Sequence, residues 1–343
     1  MEKYTSIQET LAYIVSPTGL ELSAILFLIF GGCCTNVFTL ESIISNNSAR
    51  PALALTFIQF IFVAVEGFAH HFRAHSKTLL KRPEVAHIQW FGIALLHFSI
   101  SVMNNLSLEY HISVPVHIVL RSGGGLVTLV VGTIAGKTYT RMQWMSVLTM
   151  TGGVVMTAMS GAKTPLGDSG SGFFSPGVAL LLVLQILIAV MGIMLENIYK
   201  SSPGIWREGL FYTHFLALPL FIPLMPKILA QISTLTSGTQ VEMAMPRYSD
   251  SALDFPVDFI LLTLNALTQF LCVKGVNLLT SVSSALSVCI VLNVRKLVSL
   301  LLSVWIFGTK LETGFILGTV VVFGSVVVYA LDDWKRAQAQ STR

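Results

Sequence analysis

The sequence predicts an all-α polytopic membrane protein, with ten transmembrane helices in two inverted five-helix repeats. Three observations predict it. Apolar residues make up 53% of the chain and charged residues only 11%, with a mean hydropathy of +0.74; soluble domains carry about 25% charged residues. The apolar stretches run unbroken for about 20 residues each, the length that crosses the hydrocarbon as a helix, and they do not alternate as barrel strands would. Finally, one offset of 172 residues brings part of the first half onto the second.

Ten stretches meet the length requirement, at 20–44, 52–72, 87–107, 114–135, 142–160, 174–197, 208–229, 256–276, 281–306 and 312–331. Both signs of charge precede the first, and no cleavage-site pattern does. It is therefore expected to be retained rather than removed as a signal peptide. The whole of 1–343 reads as one transmembrane domain, with half-repeats 20–160 and 174–331 and tails 1–19 and 332–343.

Charge orients the spans. Thirteen of the 21 Lys and Arg fall in tails and loops on one side, five on the other, and three inside spans. The richer side is expected to be cytosolic, which places both termini there. The net charge of +4 needs no nucleic-acid partner to explain it, since cytosolic loops carry this excess. The cysteines, Cys33, Cys34, Cys272 and Cys289, all lie in apolar segments with no CxxC spacing. They read as small buried hydrophobes, with neither a disulfide framework nor a metal site expected.

The offset of 172 sets Ile118-Val119-Leu120 on Ile290-Val291-Leu292, Gly136 on Gly308, Gly152 on Gly324, and Val154, Val155 and Ala158 on Val326, Val327 and Ala330. It pairs the fourth and fifth spans with the ninth and tenth. Five spans separate the copies, so the second copy is inverted. Inverted repeats around a midplane site belong to transporters.

The repeat also places three cations. Arg121 lies in the fourth span, and Arg295 and Lys296 lie close to the equivalent point of the ninth. A central intramembrane Arg costs about 2.5–3.5 kcal/mol on insertion scales, so its retention points to a site. Glu41, Glu66 and Glu196 are the available carboxylate partners. Three cations in related spans point instead to an anionic ligand, and the guanidinium fork suits phosphate. The run Gly123-Gly124-Gly125 has no preceding strand and no following Lys-Ser/Thr, so it reads as a close helix contact or kink, not as a nucleotide-hydrolysing loop.

Three stretches carry a resemblance: "NNLSLEYHISVPVHIVLRSGG" (Asn104–Gly124), "FYTHFLALPLF" (Phe211–Phe221) and "VLNVRKLVSLLLS" (Val291–Ser303). Together the chain resembles the nucleotide-sugar transporters of the drug/metabolite transporter superfamily, in the branch that includes fungal UDP-N-acetylglucosamine transporters. The resemblance covers about 20–335. It implies an antiporter of the Golgi or endoplasmic reticulum membrane that brings nucleotide sugar into the lumen and returns the nucleoside monophosphate, UMP for a UDP-sugar. It implies neither ATP nor another cofactor, and it leaves room for a homodimer and for contacts with membrane lipids. The GDP-sugar branch carries Phe-Tyr-Asn-Asn on the seventh span and Gly-Ala-Leu-Asn-Lys on the ninth. Here Phe211-Tyr212-Thr213-His214 and Leu292-Asn293-Val294-Arg295-Lys296 stand in those places, a departure that favours a UDP-sugar.

The candidate substrate-binding residues follow. Lys296 and Arg295 are the expected phosphate ligands, with Arg121 completing the cradle or gating through a carboxylate, and Asn293 in the same motif. Tyr212 is placed to stack on a base or bond a ribose hydroxyl, with His214 two residues on. Glu41 is a sugar-hydroxyl contact or a counter-ion. Asn104 and Asn105, and Asn265 and Gln269 four apart on one helix face, could read base or sugar edges or bridge helices by hydrogen bonds. UDP-xylose, UDP-galactose and UDP-glucose are the alternative substrates. A membrane-embedded glycosyltransferase would need acidic metal ligands, and the only Asp pair, Asp332-Asp333, lies beside Lys335 as a helix-end anchor.

Overall fold

The structure, a computed structural model, describes residues 17–46, 51–72, 81, 83–107, 110, 120–160, 176–202, 204–236, 257–307 and 313–341. In chain order its helices are α1 (Pro17–Phe27), α2 (Cys33–Asn46), α3 (Ala52–His71), α4 (His87–Ser107), α5 (Gly124–Ile134), α6 (Arg141–Ser160), α7 (Pro176–Ser201), α8 (Trp206–Phe215), α9 (Met225–Thr236), α10 (Val257–Val282), α11 (Ala285–Phe307) and α12 (Thr313–Ser341). Six helical stretches among the described residues are long and apolar enough to cross a membrane: Gly19–Leu40, Ala52–His71, Pro176–Ser201, Trp206–Thr234, Ile260–Val282 and Thr313–Asp333. The protein is thus all-helical and polytopic. The stretches 114–119 and 161–173 lie outside the described residues.

Among the described residues, two predicted spans change helix type along their length. A π turn, Leu28–Gly32, joins α1 to α2. A 3₁₀ stretch, Leu218–Leu224, joins α8 to α9 where Pro219 and Pro223 remove backbone donors that an α-ladder would need.

The chain packs as two units, each drawing on both halves of the sequence: 1–98 with 202–282, and 99–201 with 283–343.

In the first unit, α2 and α10 run antiparallel and touch closely. A Cβ on Gly32 would lie 2.7 Å from the Cys272 amide nitrogen, and one on Gly275 would lie 2.9 Å from Ile29. At this contact Cys33 and Cys272 form a disulfide, their Cα atoms 4.9 Å apart. This corrects the expectation of four unpaired cysteines. The two residues are 239 apart in sequence, so no spacing motif announces the pair. Cys34 and Cys289 are free thiols. One turn on, Asn36, Thr39, Gln59, Asn265 and Thr268 form an amide and hydroxyl network. Elsewhere in this unit the buried carboxylate of Glu208 accepts from the Glu84 and Val85 amides and from Trp90 Nε1 at 2.8 Å, capping the approach to α4.

In the second unit, α6 and α12 run antiparallel, from Thr140 bonded to Asp332 at one end to Ser160 beside Gly314 at the other. A Cβ on Gly318 would lie 2.6 Å from the Gly153 carbonyl oxygen, so only glycine allows this approach. The glycines matched by the repeat, Gly152 and Gly324, have nothing within 4 Å of an added Cβ, so they are not packing positions. The same 172-residue offset does relate Ser146 to Gly318 and Gly153 to Ser325, and both serines are buried, at 4% and 6% exposure.

Near one end of this unit Glu196, 3% exposed, pairs with Lys137 and with Lys200 at 2.6 Å, and accepts from the Ala285 amide at 2.8 Å. An acidic group at the start of α11 meets the unsatisfied amides and the positive end of the helix dipole. Burial first, and then the Glu196 carboxylate, push Tyr139 up to about 12, keeping it a neutral phenol against Gly132.

Candidate functional site

The second unit gathers the amides and cations singled out on the fourth and ninth spans. Residues 120–122 are helical, the helix is interrupted at Gly123, and α5 begins at Gly124. At this break three successive carbonyls each accept a side chain from a neighbouring helix. Gln185 Nε2 of α7 donates to Leu120 O at 2.9 Å. Lys296 Nζ of α11 donates to Arg121 O at 3.3 Å. Asn293 Nδ2 of α11 donates to Ser122 O at 3.3 Å. The glycines therefore act as a kink and a close contact: a Cβ on Gly124 would meet Cys289 and Gln185 at 3.5 Å.

Lys296 lies eleven residues from each end of α11, at its centre. Asn293 sits one turn before it on the same face, and its Oδ1 accepts from Lys296 Nζ at 3.0 Å. The ammonium carries three donors, and these two bonds leave one N–H to offer. Arg121 is fixed by the side-chain oxygen of Asn104, 2.8 Å from its Nη1. The amide is neutral, so it orients the guanidinium without cancelling its charge.

Arg121, Arg295 and Lys296 lie within electrostatic reach of one another. Among the described residues no carboxylate forms an ion pair with Arg121 or Lys296. Of the three acidic partners expected for Arg121, Glu196 is committed to Lys137 and Lys200, and Glu66 lies 3.3 Å from His70. Glu41 is on α2, and its side chain lies outside the described residues. Mutually repelling cations held by neutral groups suit a polyanion better than a single charge.

The remaining candidates divide between the units. Asn105 is half-buried beside Asn104. Tyr212, His214, Asn265 and Gln269 belong to the first unit. Tyr212 is buried, its hydroxyl 3.4 Å from the Lys81 carbonyl and its ring edge-on to His87. His214, 3% exposed, donates from Nδ1 to Leu210 O at 2.8 Å and packs on Phe60 and His97. Asn265, 1% exposed, gives Nδ2 to Thr39 Oγ1 at 3.0 Å and takes Gln59 Nε2 on Oδ1 at 2.7 Å. Its amide is already satisfied by the protein. Gln269 is half-buried one turn further along.

Three participants, Leu120, Ser122 and Gln185, are not among the site residues that the sequence singles out. Leu120 and Ser122 take part through their carbonyls, which no side-chain pattern reveals. Gln185 was legible in principle, as a lone amide in the apolar run "LLLVLQILIAV".

Comparison with known proteins finds relatives along nearly the whole chain. The model of the UAA transporter family matches residues 21–333. The UDP-N-acetylglucosamine transporter of Schizosaccharomyces pombe is 40% identical, over 90% of this chain and 95% of its own. That of Saccharomyces cerevisiae is 32% identical, over 89% and 92%. The endoplasmic reticulum GDP-fucose transporter of Drosophila melanogaster is also 32% identical, over 91% of each.

Proposed function

The chain belongs to the UAA transporter family, and from that premise we propose that it exchanges cytosolic UDP-N-acetylglucosamine for lumenal UMP across the Golgi or endoplasmic reticulum membrane. As a family member it is a transporter and not an enzyme. The observation that carries the substrate reading is the Asn104–Arg121–Lys296–Asn293 chain of hydrogen bonds, a cationic cluster at the centre of α11.

In this reading the diphosphate is the common handle. Lys296 offers its remaining N–H and Arg121 its remaining guanidinium donors, with Arg295 adding charge. The phosphate of UMP engages the same groups. Without an anion the three cations repel one another, so the unloaded cluster is costly in a low-dielectric surround. That penalty disfavours crossing empty and couples one anion's passage to the return of another. Asn293 and Asn104 hold the two cations at their stations. Tyr212, His214, Gln269, Asn105 and Glu41 remain candidates for base and sugar contacts. Asn265 serves the α2–α10 network, where its bonds already lie.

The fold reading that accompanies this is ten spans in two inverted repeats, with both termini cytosolic. The buried small residues at 146, 153, 318 and 325, related by one offset on the antiparallel α6 and α12, support it.

The GDP-fucose relative means that family membership alone does not select the base. The experiment is therefore uptake into proteoliposomes preloaded with UMP, with labelled UDP-N-acetylglucosamine, UDP-xylose, UDP-galactose, UDP-glucose and GDP-fucose compared. The reading expects UDP-N-acetylglucosamine to exchange fastest. Preferred uptake of a GDP-sugar would refute it.

A further inference from the structure

At one end of the first unit a cleft opens among α3, α8 and α10. Glu66 and His70 line it from α3, Trp206 and Arg207 from α8, and Phe270 and Lys274 from α10. The Arg207 guanidinium lies 5.3 Å from the Trp206 ring centroid, and Lys274 Nζ lies 5.6 Å from that of Phe270. A ring face balances positive charge while leaving most N–H donors free. Among the described residues neither cation forms an ion pair with a carboxylate. Glu66, the one carboxylate in the lining, lies 3.3 Å from His70. The cleft thus presents two basic side chains, each over a ring face, against one carboxylate that lies beside His70.

Its setting is a membrane boundary. Lys274 lies eight residues before Val282, the end of α10, so it is recessed from that end by about 12 Å. Next to the cleft, α3 turns Val65 and Phe68 outward, at 64% and 39% exposure, and α10 turns Leu267 outward at 42%. These are surfaces for acyl chains. Trp206 is of the type that sits at headgroup level.

We propose that this cleft binds the phosphate headgroup of an anionic phospholipid, with Arg207 and Lys274 as its ligands and the apolar flanks of α3 and α10 as the acyl-chain path. The headgroup balances Lys274 where it is recessed and ties together α3, α8 and α10. Basic recesses between spans on the cytoplasmic side recognise such headgroups, and the charge count assigns this end to the cytosol. The cleft belongs to the unit that lacks Arg121 and Lys296. It is independent of the transport reading.

The test is native mass spectrometry of the full chain released from nanodiscs of phosphatidylcholine and phosphatidylinositol at 3:1. The wild-type chain should retain phosphatidylinositol over phosphatidylcholine. The Arg207→Gln/Lys274→Gln variant should lose roughly thirtyfold of that preference, at about fivefold per cation. The swap Arg207→Lys/Lys274→Arg should keep most of it and control for packing. Equal retention of both lipids by the wild type overturns the proposal without reference to any variant. So does a preference unchanged by the double Gln substitution. Complete displacement of the lipid by millimolar inorganic phosphate would assign the cleft to a free anion and overturn the lipid assignment.

Discussion

Lys296 Nζ donates to the backbone carbonyl of Arg121, 3.3 Å away, so a cation of α11 is held by the very residue that carries the second cation. The bond ties side-chain position to the helix break at Gly123. Lys296 is positioned by a backbone oxygen and by Asn293, and neither takes its charge.

Asn293 is expected to be sensitive to charge. Asn293→Ala removes one acceptor of Lys296 and one donor to Ser122 O. The bond to Lys296 is the one that positions the substrate's ligand, and at about 1 kcal/mol its loss should raise KM for the transported sugar about fivefold. Asn293→Asp places a carboxylate 3.0 Å from the ammonium and competes with the diphosphate. Uptake should fall more in Asn293→Asp than in Asn293→Ala, with both folded. Initial-rate uptake in proteoliposomes reads the difference.

Glu196 is expected to hold α7, α11 and the 137–140 turn together. Glu196→Ala leaves Lys137, with only 22% of its side chain exposed, without its partner and uncaps Ala285. Breaking a buried pair on one side costs about 3 kcal/mol or more. The thermal unfolding midpoint in detergent should drop by several degrees. Lys200→Ala, whose side chain is 59% exposed, should change it little.

Gly318 and Gly324 lie on one helix and should respond oppositely. Gly318→Ala drives a methyl against the Gly153 carbonyl and the Thr157 amide, 2.6 and 2.8 Å from its Cβ, and backbone cannot step aside. Folded yield should fall sharply. Gly324→Ala has open space and should be neutral or slightly stabilising.

The disulfide predicts two free thiols, not four. Maleimide labelling of the denatured, unreduced protein should modify Cys34 and Cys289 only, and reductant should expose two more sites. Cys33→Ser should lower stability by about 2–4 kcal/mol, read as an earlier loss of folded protein on heating.

The spans were legible because continuous apolar runs leave few alternatives to a helix in lipid. Their changes of helix type were not. Pro219 and Pro223 were in plain view, but whether prolines break a membrane helix depends on what satisfies the freed carbonyls. The α6–α12 contact was half-legible: Gly314 and Gly318 form a GxxxG spacing, while the repeat drew attention to Gly152 and Gly324, which face open space. Arg121, Asn293 and Lys296 stood out because charge and amides are costly in a span. The Leu120, Arg121 and Ser122 carbonyls that organise them have no side-chain signature, and Asn265 looks the same in sequence whether it reads a sugar or, as its bonds here show, a neighbouring helix.

Counterflow with and without UMP tests the central claim most directly. Wild-type proteoliposomes preloaded with UMP should take up labelled UDP-N-acetylglucosamine many times faster than empty ones. Lys296→Ala should lose that stimulation while eluting as a folded protein, and Lys296→Arg should keep part of it. Equal uptake by loaded and empty wild-type vesicles, or near-normal exchange by Lys296→Ala, would contradict the account.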